Sequence, residues 1–266
     1  MYKIIYFLIE IYNKRTVIFS LAKRNVQQQY FGSALGFFWA FIEPLIFIGI
    51  LYFVFTIGLR AGSVSSMPFS VYLITGITAW LFFANTLNGS PNAIAKYSYL
   101  VNNLGLKGSY LPLINIVGNL LPHMLFVVLA ILVAWAQGYT PSLYTLQIFY
   151  YLFAMSVLLL GLAWLTSSTN LFVKDVSRFV SLITQFGFWL TPIFWNISIV
   201  PEKFHWLIKL NPVYYIVTGY RESIVEKIPF WDHPADTLYF WLVTVTILLA
   251  GIIIFNKLEP HFGDVI

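Results

Sequence analysis

Cysteine is absent from the 266-residue chain, so it has no disulfide framework and no thiolate metal site, and its redox compartment leaves no mark. Charge is nearly as scarce. Only 9% of the residues are Asp, Glu, Lys or Arg, where a soluble domain commonly carries about a quarter. A chain so poor in charge cannot cover its surface in water. No G-x-x-x-x-G-K-[ST] run occurs, which excludes ATP binding in the P-loop mode. The four histidines, His123, His205, His233 and His261, keep no metal-ligand spacing, and neither H-E-x-x-H nor a nucleophile elbow is present, so no metal site is expected. Nothing repeats at a fixed period, and no low-complexity linker divides the chain.

What is present is apolar surface. Hydrophobic residues make up 59% of the chain and aromatics 19%, an excess that water does not tolerate and a bilayer solvates. The class is therefore an all-α polytopic membrane protein. Crossing about 30 Å of hydrocarbon takes roughly 20 mostly apolar residues at 1.5 Å each. Six stretches qualify: 36–58, 69–87, 110–136, 143–166, 178–195 and 237–255. Residues 1–35 then form a cytoplasmic amphipathic interface region, 36–255 a six-span domain, and 256–266 a tail.

Six spans place both termini on one side of the membrane, and basic residues choose the side. Ten of the 15 Lys and Arg fall with the termini, among them Lys14, Arg15, Lys23, Arg24, Lys96, Lys107, Lys174, Arg178 and Lys257. The positive-inside rule makes that side cytoplasmic, so the net charge of +5 reflects topology and not nucleic-acid binding.

Glu10 and the basic cluster interrupt the first apolar run, so the N-terminal region is not read as a cleaved signal peptide. In KRTVIFSLAKRNVQQQYFG, Ile18, Leu21, Ala22, Val26 and Tyr30 share one helical face, while Lys and Arg fill the rest. Such a helix lies along an anionic leaflet or simply anchors the chain beside the membrane. The segment 88–109 is opened by Ser90-Pro91 and closed by Gly105 and Gly108. It is either a docking element for a soluble partner or a solvated loop. In NLFVKDVSRF, Asp175 is placed to cap the fifth span.

The segment 196–236 is too apolar for a free loop, yet Pro201, Pro212 and Pro229 cut it into pieces too short to span. It reads as two short re-entrant helices turning back at Asn211-Pro212. Backbone of that kind must be buried in protein or face a wet cavity. The first span, by contrast, carries a carboxylate. On its helix Trp39, Glu43, Phe47 and Ile50 share a face, with Glu43 roughly 10 Å in. Facing lipid, that charge costs a few kcal/mol, so it faces either a wet path or a polar partner on a neighbouring helix. Glu43 is also the only acidic residue well inside a span, too few for a proton relay.

LGFFWAFIEPL at 35–45, YFVF at 52–55, NLFVKDVSRFV at 170–180, LTPIFW at 190–195 and LNPVYYIVTGYRESI at 210–224 together resemble the membrane permeases of polysaccharide-exporting ABC transporters. O-antigen permeases are the most similar, and capsule and teichoic-acid permeases share the pattern. The resemblance implies a homodimer in the cytoplasmic membrane, paired with two copies of a separate ATPase that binds ATP and Mg, and moving a lipid-linked polysaccharide. It implies a path between protomers along Trp39, Glu43, Phe47, Phe186 and Trp189. The ATPase would couple through Ala93, Lys96, Tyr97, Leu100 and Leu106, and the exit would be bounded by Asn211, Pro212, Tyr215, Arg221 and Glu222. Two rival classes are a membrane-embedded transferase acting on lipid-linked sugars and a secondary transporter. The first needs a convergent acid, base or metal cluster, and the second internal repeats and several intramembrane charges.

Overall fold

A computed structural model describes residue 10 and residues 12–29, 33–60, 63–64, 67–97 and 107–265. It is helical almost throughout. Helix α1 (Arg15–Gln29) precedes a 3-10 turn, Gly36–Phe38, and then α2 (Trp39–Phe53), which runs on as a π-turn to Gly58. A two-residue hairpin, β1 (Ser63–Val64) with β2 (Met67–Pro68), leads into α3 (Phe69–Gly89). A single turn, α4 (Ala93–Lys96), comes before α5 (Leu111–Ala136) and α6 (Gln147–Phe172). The remainder is α7 (Asp175–Leu190), the short α8 (His205–Lys209) and α9 (Pro212–Arg221), and α10 (Pro234–Leu258).

Among the described residues five helical stretches are long and apolar enough to cross a membrane: Trp39–Gly58, Phe69–Gly89, Gly108–Ala136, Leu143–Phe172 and Pro234–Gly263. The fifth span expected at 178–195 is not among them, because its helix ends early. That helix, α7, has 16 residues, about 24 Å at 1.5 Å per residue. Pro192 is the reason. A residue before proline is pushed out of the α region, and Thr191 sits at φ −85 and ψ 133. Residues 191–194 then continue as buried, non-helical chain.

Close backbone approach fixes the scaffold. A Cβ built on Gly251 of α10 would overlap the Gly161 carbonyl oxygen of α6, and one on Gly161 would lie 2.7 Å from Leu248 Cα. In lipid there is no hydrophobic drive between helices, so such small-residue contacts, which maximise van der Waals packing, hold them together. α3 lies in the middle of this frame. Of its most apolar window, 78% is buried inside the protein, against 11% for α2.

A second apolar core forms at the end that carries α1. Ile18 and Ala22 pack with Ile94, Tyr97, Tyr110, Leu111 and Ile114, and the C-terminal Phe262 joins them. The apolar face read for the N-terminal helix is thus covered, at Ile18 and Ala22, by the chain itself and not left for a leaflet. Val26's side chain and Tyr30 lie outside the described residues. The two short helices expected before the last span are present as α8 and α9, with Pro212 at the first turn of α9 and Asn211 accepting from the Val213 N–H at 3.0 Å.

Candidate functional site

Helices α2, α3 and α7 enclose a groove of about 380 Å³. α3 supplies Trp80, Leu81, Ala84 and Asn88; α7 supplies Ser181, Thr184, Gln185, Phe188 and Trp189; α2 supplies Phe47. The helices can approach because Gly187 has no side chain: a Cβ there would lie 2.9 Å from the Trp80 indole. Phe188 is the hub of the aromatic wall, 5.6 Å from Phe47, 6.1 Å from Trp80 and 5.6 Å from Trp189 between ring centroids. On the other wall the Thr184 hydroxyl donates to Asn88 Oδ1 at 3.0 Å. No lining side chain is charged. Rings beside amides and hydroxyls offer apolar faces and exchangeable hydrogen bonds together, the pairing that a polyhydroxylated ligand with C–H faces and hydroxyl edges requires.

Of the five path residues, Phe47 and Trp189 line this groove. Glu43 is exposed one turn before Phe47 and makes no hydrogen bond or ion pair among the described residues. It therefore does not tie α2 to another described helix of the same chain. Trp39 is half-buried near the start of α2, and Phe186 points outward at 62% exposure. Neither touches the groove.

The coupling residues divide differently. Ala93 and Tyr97 are buried, at 2% and 3% exposure, and Tyr97 belongs to the second core. Burial makes both side chains part of the support of α4. Leu100 and Leu106 lie outside the described residues. Lys96 is exposed and donates to Asn25 Oδ1 of α1 at 2.5 Å, and partial burial pushes its ammonium below the ordinary lysine range. Further along, Lys107 pairs with Glu10 at 2.6 Å, and that hydrogen bond holds the Glu10 carboxyl below its usual value. Polar bonds from both sides of 98–106 thus run back to the N-terminal segment. Asn170 adds a third tie, donating to the Pro91 carbonyl at 3.1 Å while its Oδ1 accepts from Ser177 N. The side chain that caps the start of α7 is thus Asn170, and the capping expected of Asp175 is corrected. Asp175 makes no side-chain cap and instead faces Arg178, 3.6 Å away and fully in the open.

Of the five residues expected at the exit, Asn211 and Arg221 meet the non-helical end of α7, while Tyr215 and Glu222 bond to other elements. Asn211 Nδ2 donates to Thr191 Oγ1 at 2.8 Å, and Pro212 opens α9. Tyr215 exchanges hydrogen bonds with Tyr150 at 3.1 Å and Thr237 at 3.0 Å. Arg221 is buried, and Glu222 meets His233 at 3.0 Å. α9 packs so closely on α6 that a Cβ on Gly219 would overlap the Tyr151 ring. Sequence reasoning missed Trp80, Asn88, Thr184 and Gln185 in the groove and Asn25 and Asn170 at the other end. Apart from Trp80, their common signal is a polar residue inside or beside an apolar run, where it demands a partner.

Among the described residues, five helices long and apolar enough to cross a membrane, one truncated helix and a short helical hairpin whose second helix is buried define a multi-pass, all-α membrane protein. The ABC-2 type transporter family model matches residues 16–225, and the chain belongs to that family. Its relatives include the O-antigen export system permease protein RfbA of Klebsiella pneumoniae, 28% identical over 92% of this chain and 93% of that protein. The protein of the same name from Myxococcus xanthus is 25% identical over 96% and 97%. The polysialic acid transport protein KpsM of Escherichia coli is 20% identical over 92% and 95%.

Proposed function

We propose that this chain is the permease subunit of an ABC exporter that moves a lipid-linked, O-antigen-like polysaccharide across the cytoplasmic membrane. ATP and Mg are bound and hydrolysed by a separate subunit present in two copies. The observation that carries the reading is the end-to-end similarity to relatives named as O-antigen permeases. The uncharged groove of rings and amides suits the same cargo. Two copies of the chain pair through the exposed sides of α2 and α7, which the single chain leaves uncovered at Ile46, Ile50, Leu182 and Phe186. Both termini are cytoplasmic, so α1 and α4 face the ATPase, while α8 and α9 bound the exit. Motion of the ATPase reaches the groove through α4, whose preceding residues Asn170 ties to the start of α7. Glu43 lies at the cytoplasmic mouth of the groove.

The experiment is co-reconstitution of the chain with its cognate ATPase in liposomes loaded with an undecaprenyl-linked O-glycan, scored by glycan reaching the far leaflet. Transfer that needs ATP and both subunits is the expected result. Glycan transfer without the ATPase, or chemical change of the glycolipid without transfer, overturns the reading.

A further inference from the structure

Residues 191–195 leave the helix inside the protein, so their carbonyls need donors from elsewhere. Side chains from two other elements supply them. Arg221 Nη2, at the end of α9, donates to the Pro192 carbonyl at 2.7 Å and the Ile193 carbonyl at 2.8 Å. The Tyr72 hydroxyl of α3 donates to the Trp195 carbonyl at 2.7 Å. The Arg221 guanidinium also lies 3.7 Å from the centre of the Tyr72 ring. No ion pair reaches Arg221 among the described residues, and Nε has no partner there. Glu226 acts on Arg221 only through space, and a buried cation with no carboxylate in contact is costly unless dipoles and a ring face stand in for one. Gly76 makes the arrangement possible: a Cβ there would overlap Nη2 and lie 3.0 Å from the Ile193 carbonyl oxygen.

We propose that Arg221 is a positioning residue, a latch that locks the end of α7 to α3 and α9 so that all three move as one block. Gln185, Phe188 and Trp189 sit within two turns of that end, so the latch sets the spacing of the groove wall. Its bearing on transport rests on the proposed export reading; the latch itself does not. A lysine at 221 would offer a compact ammonium in place of a planar fork and would hold the carbonyls less firmly.

The test uses the full chain, whose lack of cysteine lets two be introduced as Leu190→Cys and Trp206→Cys, both at exposed positions. Spin labels there report the distance from the end of α7 to α8, with unlabelled chain in excess so that distances within one protomer dominate. The latched protein gives a single narrow distribution. Arg221→Met broadens it and adds a longer component, and Arg221→Lys falls between. Gly76→Ala produces the same broadening with Arg221 retained, because its methyl occupies the space of Nη2, and it decides the matter if Arg221→Met does not accumulate. An unchanged distribution in Gly76→Ala and in folded Arg221→Met overturns the proposal, since a residue needed only for folding lowers yield without loosening the survivors. The distances are read without ATPase or glycolipid, so failure of the export reading leaves this result standing and is told apart from failure of the latch.

Discussion

Helices α2 and α3 are neighbours in sequence and similar in length, yet they live in opposite surroundings. α2 is the more apolar of the two and is 11% buried over its span window, while α3 carries four glycines and threonines between Thr75 and Thr86 and is 78% buried. In water the order would be reversed. A bilayer solvates aliphatic side chains as well as a protein core does, so apolarity does not drive a helix inward. Small and hydroxyl-bearing residues do, because they permit close approach and hydrogen bonding. Thr75 and Thr78 return hydrogen bonds to their own helix, at 2.8 and 2.7 Å, and Gly76 makes room for Arg221. On α2, a Cβ built on Gly49 would meet nothing within 4 Å, and Ile46, Ile50 and Phe53 are exposed.

The largest way to break this contrast is to fill matching glycines. Gly76→Leu forces buried Arg221 out of place and is expected to cost about 3 kcal/mol or to abolish folded protein, whereas Gly49→Leu leaves folded monomer yield unchanged. Size-exclusion profiles and thermal unfolding of the two variants in detergent check this. Equal damage from both would remove the distinction between a lipid-solvated and a protein-solvated helix.

A second test asks whether the groove that α2 and α3 share with α7 handles cargo. Trp189→Ala deletes an aromatic face that lines it and is expected to cut ATP-driven glycan transfer about tenfold, the equivalent of about 1.4 kcal/mol of ring contact. Phe149→Ala, an exposed ring of α6 outside both the groove and the proposed pairing surface, should leave it within about twofold. Transfer assays normalised to folded permease measure both.

Glu43 sharpens the comparison further, because it is the carboxylate of the exposed helix. Having no partner among the described residues, it can be replaced by Leu without loss of folded monomer. Transfer should fall about threefold with Leu and less with Gln, which keeps the hydrogen-bonding shape. Parallel loss of folded protein and transfer in Glu43→Leu would place the carboxylate in a structural contact between protomers.

The smallest effect is electrostatic. The Glu10 carboxyl is held below its usual value by the Lys107 hydrogen bond, then by Tyr110. A depressed carboxyl contributes stability that is present above its unfolded value of 4.5 and is lost as pH falls through the lower folded value. Limited proteolysis of the N-terminal segment should therefore be unchanged from pH 8 to 5 and rise slightly below about pH 4, and Lys107→Ala should abolish that rise by removing the protected baseline.

The positions of the helices are legible in the sequence because apolar runs of about 20 residues have few other meanings. What is not legible there is tertiary. LTPIFW reads as the end of a span by composition, but Pro192 stops the helix at Leu190, and donors distant in sequence, Arg221 and Tyr72, satisfy carbonyls of the remaining chain inside the protein. Ile94 and Tyr97 sit in a loop-like stretch, and nothing local announces that they will share a core with Ile18 and Ala22. Asn211, Pro212, Tyr215, Arg221 and Glu222 are legible as a group because one continuous motif carries all five. The groove residues Trp80 and Asn88 are not, since they belong to a helix whose neighbours are set by Gly187 of another.

The backbone contact between Gly161 and Gly251 has a consequence for synthesis. Ninety residues separate the two glycines in the chain, so at 5–20 residues per second α10 leaves the ribosome roughly 5–20 seconds after the part of α6 it rests on. Throughout that interval the notch at Gly161 is open to lipid, and the fourth crossing helix waits in the bilayer for the last one to close it. Truncation before Gly251, whether by a stop codon or a stalled ribosome, leaves that notch permanently unfilled.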